Sequence, residues 1–67
     1  MTIDRIGRNA RLICEILDNK NNTSVSELWE KSELTEFDFS MALGWLAREY
    51  KIAFYKIDEE QIVTLLY

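Results

Sequence analysis

The sequence predicts an α+β fold in which three helices are followed by a β-hairpin. Two observations lead to this order. Apolar residues recur at helical spacing through the earlier part of the chain, which also carries two sets of helix-capping residues. The later part is rich in β-branched and aromatic residues on both sides of a short polar stretch. With 67 residues, 48% of them apolar and 30% charged, the chain is predicted to form one globular domain over residues 1–67.

The first helix is predicted to begin near Ile3 and to continue for about four turns. Its apolar residues follow one another at steps of four, three and four, which places them in a narrow arc of the helix. These residues are Ile6, Ala10, Ile13 and Leu17. The run 20–23, with two asparagines, is expected to end the helix because asparagine favours turns.

The second helix is predicted to start at a capping box over residues 24–27. In this motif the Ser24 hydroxyl accepts a hydrogen bond from the Glu27 amide, and the Glu27 side chain returns to the Ser24 amide. Glu27 also lies four residues before Lys31, which predicts an ion pair on the helix surface. The residues expected to face inward are Val25, Leu28 and Trp29.

The third helix is predicted to start at a second cap over residues 35–38 and to run to about Tyr50. At 100° per residue, one side of this helix faces the core. That side carries Phe39, Ala42, Leu43, Leu46, Ala47 and Tyr50. The opposite side carries Phe37, Met41, Gly44, Trp45 and Arg48, with Asp38 beside them.

The hairpin is predicted from two strand-forming segments, 52–57 and 62–67, joined by the polar run 58–61. This run contains Asp58, Glu59 and Glu60. The turn is therefore expected to be acidic.

Two short stretches carry a resemblance to a known family. Residues 24–28 read Ser-Val-Ser-Glu-Leu, and Ala42, Leu43, Leu46 and Ile52 follow a spacing typical of a recognition helix. The chain resembles the winged helix-turn-helix family, and its Gly-Trp-Leu-Ala-Arg-Glu stretch is similar to a small group of compact, uncharacterised bacterial winged-helix domains. Family members usually have glycine at the position of Tyr50, so a different exit from the third helix is expected.

The resemblance implies a DNA-binding transcriptional regulator that places its third helix in the major groove. The residues of this chain that would contact DNA are Ser40, Arg48, Lys51 and Lys56. The charge is unfavourable for that function, because eight Lys and Arg stand against twelve Asp and Glu, a net charge of −4. Asp4 lies four residues before Arg8, and Arg11 lies four residues before Glu15. This spacing predicts that Arg8 and Arg11 form ion pairs on the surface of the first helix.

The outward side of the third helix instead suggests association with another protein. Phe37, Met41, Gly44 and Trp45 form an apolar stripe on that side. At the positions of Met41, Gly44 and Trp45, DNA-reading relatives often carry polar or basic side chains. We expect this stripe to form a homodimer interface, since a small core gains stability from a partner subunit. The sequence also allows three alternatives: a core buried on both sides of the helix, a different protein partner, and DNA.

Catalysis is not expected. The chain has no His and one Cys, and we expect no catalytic residue, no metal site and no cofactor. Cys14 follows Ile13 in an apolar segment, so it is interpreted as a small buried hydrophobe. The sequence has no apolar run long enough to span a membrane, and we expect the protein to be cytoplasmic.

Overall fold

A computed structural model describes residues 3–66. The elements are α1 (Ile3–Asn19), β1 (Thr23–Ser24), α2 (Val25–Ser32), α3 (Glu36–Arg48), β2 (Ile52–Ile57) and β3 (Glu60–Leu65). The predicted order of three helices and a hairpin is confirmed. Tyr67, which was predicted to end the last strand, lies outside the described residues.

The strand β1 was not predicted. It completes an antiparallel sheet of strand order β1-β3-β2, with Thr23 opposite Val63 and Ser24 opposite Ile62. The Asn21 side chain extends this pairing, because its Oδ1 accepts a hydrogen bond from the Leu65 amide at 2.9 Å. The segment that ends α1 thus also attaches the helices to the sheet.

The core lies where α1, α2 and α3 meet the inner face of the sheet. Its fully buried side chains include Ile13, Leu17, Leu28 and Val63. The predicted arc of α1 is confirmed for Ala10, Ile13 and Leu17.

Two residues flank this core at intermediate depth. Cys14 is half-buried against it, and burial raises the pKa of its thiol above the ordinary value. The prediction that Trp29 faces inward is wrong, because Trp29 is 41% exposed and its ring lies 6.4 Å from that of Phe39 between centroids.

Both predicted helix caps are confirmed. The Ser24 hydroxyl accepts from the Glu27 amide, and the Thr35 hydroxyl accepts from the Asp38 amide, each at 3.1 Å. Each cap supplies a partner to an amide that has none within the helix.

The Glu27 side chain does not return to Ser24 as the capping box predicts. It accepts instead from Lys20 at 2.9 Å and pairs with Lys31 at 3.2 Å. The hydrogen bond from Lys20, and then that from Lys31, holds the pKa of Glu27 below its ordinary value.

The two ion pairs predicted within α1 are not found. Among residues 3–66 the ion pairs are Arg5–Asp38, Lys20–Glu27 and Lys31–Glu27. The helical spacing of Asp4–Arg8 and Arg11–Glu15 permits pairing but does not impose it on exposed side chains.

The exit from α3 keeps the left-handed turn that glycine usually makes. Tyr50 has φ of 58°, its amide donates to the Ala47 carbonyl at 3.1 Å, and the Lys51 amide donates to the Leu46 carbonyl at 3.0 Å. This hydrogen-bond pattern is a Schellman motif. The expectation of a different exit was therefore wrong, as was the placement of Tyr50 in the core, since it is 77% exposed.

The hairpin turn is shorter than predicted. Only Asp58 and Glu59 lie between the strands, with φ of 50° and 71°. Two positive φ angles are typical of the type I′ turn, whose twist matches that of the strands. Glu60 and Gln61 belong to β3 instead, opposite Ile57 and Lys56.

Candidate functional site

A shallow groove runs between α1 and the outward side of α3. It encloses about 300 Å³ and is lined by Ile6, Ser40, Met41, Gly44, Trp45 and Arg48. We call it the α1–α3 groove. Three of the four residues predicted to form an interface are among its lining.

The fourth predicted interface residue, Phe37, lies one turn before Met41 on α3. Phe37 is 62% exposed and Met41 is 40% exposed. Phe37, Met41 and Gly44 follow one another at steps of four and three, so they share one side of the helix. Phe37 therefore extends the apolar surface beyond the end of the groove.

Trp45 divides this groove from a second depression. It is half-buried and packs against the core, while part of its ring lines both concave surfaces. The second depression encloses about 310 Å³ and is more polar, with Arg11, Glu49 and Lys51 at its rim. Trp45 thus belongs partly to the core and partly to the surface.

Gly44 forms part of the exposed lining of the α1–α3 groove. A Cβ atom placed on it would have no heavy-atom neighbour within 4 Å, and its φ is not positive. Neither backbone conformation nor packing within residues 3–66 therefore requires glycine here. Glycine inside a helix costs about 1 kcal/mol relative to alanine.

Asp38 does not lie beside the outward side of α3, which corrects the prediction. Asp38 is 5% exposed, and its Oδ2 accepts a hydrogen bond from Nη2 of Arg5 at 2.6 Å. The prediction failed because α1 covers this side of α3. The ion pair joins the start of α3 to α1.

The structure brings together two of the four predicted DNA contacts. Ser40 and Arg48 are exposed and line the groove. Lys51 lies in the second depression beside Glu49, and Lys56 lies on β2 opposite Gln61.

Sequence reasoning missed Ile6 as part of the groove. Its place in the apolar arc of α1 predicted a core residue, but it is half-buried at the end where the arc leaves the core. Its position in the first turn of α1 is a signal in the sequence that could have indicated this.

The chain matches the model of a family described as winged helix-turn-helix domain (DUF2582) over residues 1–65. It belongs to this family. The winged-helix domain is also similar to the solution NMR structure of protein BT2368 from Bacteroides thetaiotaomicron, with 28% identity and a TM-score of 0.83. That match covers 97% of this chain and 79% of the other. A comparison with curated proteins gives no match.

In this winged-helix domain α3 occupies the position of the recognition helix and the hairpin occupies that of the wing. The α1–α3 groove therefore lies on the helix that the resemblance assigns to DNA. Within residues 3–66, no three His, Cys, Asp or Glu side chains are placed to hold a metal ion. None of the helices in that part of the chain is long and apolar enough to cross a membrane.

Proposed function

We propose that this winged-helix domain is a non-catalytic association module that forms a homodimer through the α1–α3 groove. The interface consists of Phe37, Met41, Gly44 and Trp45, together with Ile6 of α1. In a two-fold arrangement the same surface of each copy contacts the other.

The observation that carries this proposal is the open space at Gly44. A helical glycine is commonly retained where another backbone or ring approaches closely. Gly7 has the same open space, but Gly44 lies in the groove beside the exposed apolar side chain of Met41, so a second molecule is the natural source of that approach. The neighbouring apolar side chains supply the surface that such a contact would bury.

The charges near the groove also favour a protein partner over DNA. The wing turn carries Asp58 and Glu59, and Glu60 follows directly, so phosphates would be repelled there. In the groove itself the side chains available to a nucleic acid are Ser40 and Arg48. Met41 and Trp45 are better suited to an apolar contact.

The size of the patch predicts weak association. If each copy buried about 300 Å² of apolar surface, the gross gain would be roughly 15 kcal/mol at about 25 cal/mol per Å². Association itself costs on the order of 4–15 kcal/mol. We therefore expect a dissociation constant between micromolar and millimolar.

Sedimentation over that concentration range tests the proposal. We expect the 7.9 kDa chain to approach twice its mass as concentration rises. Met41→Lys should keep the chain monomeric while leaving its circular dichroism unchanged, because Met41 is exposed and its loss opens no core cavity. A wild-type monomer throughout would overturn the homodimer.

The matched control is Ile57→Lys. Ile57 is also an exposed apolar residue, at 51%, but it lies on the wing. The same change there should leave the dimer intact. Equal loss in both variants would mean that added charge, rather than the groove, governs association. Trp45→Glu is less suitable because Trp45 packs on the core.

DNA binding is the second candidate, and the exposure of Ser40 and Arg48 on the recognition helix favours it. It requires affinity that falls steeply with salt and falls further in Arg48→Ala. We expect no measurable binding of this domain to duplex DNA, even at low salt. Measurable binding that Arg48→Ala weakens would establish this candidate instead.

A different protein partner is the remaining outcome for the groove. In that case the chain would sediment as a monomer and would show no salt-dependent binding to DNA.

A further inference from the structure

A third concave surface is formed by α2 and the turn between α2 and α3. It encloses about 500 Å³ and is lined by Ser26, Trp29, Glu30, Glu33 and Leu34. We propose that this surface, the Trp29 pocket, binds an arginine side chain within a basic segment of another protein. The α1–α3 groove shares none of these residues, so binding at each surface can be tested independently of the other.

The indole of Trp29 is held in place from two directions. Its Nε1 donates to the Leu34 carbonyl at 2.8 Å, and its ring is tilted by 33° against Phe39. The ring therefore does not need to be immobilised when a ligand arrives. With 41% of Trp29 exposed, the remaining ring surface is available to the pocket.

The turn that carries the pocket wall is also fixed by hydrogen bonds. The Ser32 hydroxyl donates to the Trp29 carbonyl at 2.7 Å and accepts from the Leu34 amide at 3.2 Å. Ser32 is itself buried. Leu34 is thereby kept beside Trp29 as the second apolar wall.

The charge of the pocket selects a cation. Glu30 and Glu33 contribute two carboxylates, and no Lys or Arg of residues 3–66 lines the pocket. Neither carboxylate belongs to the ion pairs found in the same range. A cation over an indole face is attracted by the ring, and carboxylates at the rim add to that attraction.

Arginine fits this arrangement better than lysine. Its planar guanidinium stacks on an aromatic ring and donates two parallel hydrogen bonds to a carboxylate. The pocket volume lies within the range of about 300–1,000 Å³ that holds drug-sized ligands, so residues flanking the arginine also fit. The occupant we infer is therefore a peptide segment rather than a free amine.

The test is a titration of the isotopically labelled full chain with acetyl-tetraarginine amide, followed by ¹H–¹⁵N spectra at low salt. We expect the Trp29 indole resonance and the Ser26, Glu30 and Leu34 amides to shift and saturate together. The citrulline peptide of equal length, which has the same shape without charge, should bind at least tenfold more weakly. Acetyl-tetralysine amide should bind more weakly than the arginine peptide.

Two variants with equal net charge separate a pocket from general attraction. Glu30→Gln/Glu33→Gln removes the two carboxylates of the pocket, and Asp58→Asn/Glu59→Gln removes two from the wing turn. Neither change touches a buried side chain. We expect the apparent dissociation constant to rise at least fivefold in the pocket variant and less than twofold in the wing variant.

Three results would overturn the proposal. Equal weakening in both variants would indicate non-specific attraction to an acidic surface. Shifts that avoid the Trp29 indole would place the binding elsewhere. Shifts of that indole with protein concentration, without peptide, would mean that a second copy occupies the pocket.

Discussion

The substitution Gly44→Ala should stabilise the isolated chain and weaken its dimer. In the monomer, Gly44→Ala removes backbone freedom from the unfolded chain and places a methyl group in open space. We expect the free energy of unfolding to rise by about 1 kcal/mol at low concentration. In the dimer the same methyl group would meet the second copy. Denaturant unfolding at micromolar concentration, together with sedimentation at higher concentration, measures both effects.

Gly7 is the matched control for this test. It is the other glycine of the chain, it lies inside α1, and a Cβ placed on it would also have no neighbour within 4 Å. Gly7→Ala should stabilise the monomer by a similar amount and weaken the dimer less than Gly44→Ala does, because Gly7 lines the second depression and not the α1–α3 groove. If Gly44→Ala stabilises the monomer without weakening association, the open space at Gly44 would not mark an interface.

At the scale of single residues, the sequence predicts the chemical character of a side chain better than it predicts the burial and the contacts of that side chain. Phe37 and Met41 were predicted to be exposed, and they are, because helical geometry alone places them opposite the core. Asp38 was misplaced, because its burial depends on the position of α1 and on Arg5, which is 33 residues away. The prediction that Tyr50 faces the core is wrong because α3 ends at Arg48, so helical geometry no longer sets the direction of the Tyr50 side chain.

At the scale of elements, the exit of α3 has a residue whose conformation is costly. The backbone of Tyr50 lies in the left-handed region, which is on the order of 1–2 kcal/mol less favourable for a residue with a side chain than for glycine. Its ring is mostly exposed, so little packing offsets this cost. Tyr50→Gly should therefore raise the free energy of unfolding by about 1 kcal/mol, measured by denaturant titration.

The neighbouring position gives the opposite expectation. Glu49 has φ of −83°, and its amide donates to the Trp45 carbonyl at 3.1 Å. Glu49→Gly should lower the stability, because glycine adds freedom to the unfolded chain with no strain to relieve. Equal effects at the two positions would mean that the left-handed turn imposes no special cost.

Elements whose signals are local were predicted, whereas those created by pairing were not. The three helices and their caps depend on residues within four positions of one another, so the sequence shows them directly. The strand β1 has two residues and forms only because β3, about forty residues later, presents an edge. The groove and the Trp29 pocket likewise depend on how elements pack, and only their separate residues were visible in the sequence.

At the scale of the whole molecule, association should appear as a stability that depends on concentration. A ligand that binds only the folded state raises the melting temperature, and a second copy acts as such a ligand. For a dimer, a tenfold rise in concentration adds about 0.7 kcal/mol per chain, which corresponds to about 3–6 °C for a domain of this size. We expect this increase in the wild type once the concentration exceeds the dissociation constant.

The variants Met41→Lys and Ile57→Lys test whether the concentration dependence of the melting temperature arises at the groove. Calorimetry of Met41→Lys should give one melting temperature at all concentrations, whereas Ile57→Lys should follow the wild type. Met41 lies at the groove, where a charge cannot be buried against a second apolar surface without cost. A wild-type melting temperature that is constant up to millimolar concentration would contradict self-association at any surface. It would leave the recognition helix available to another protein or to DNA.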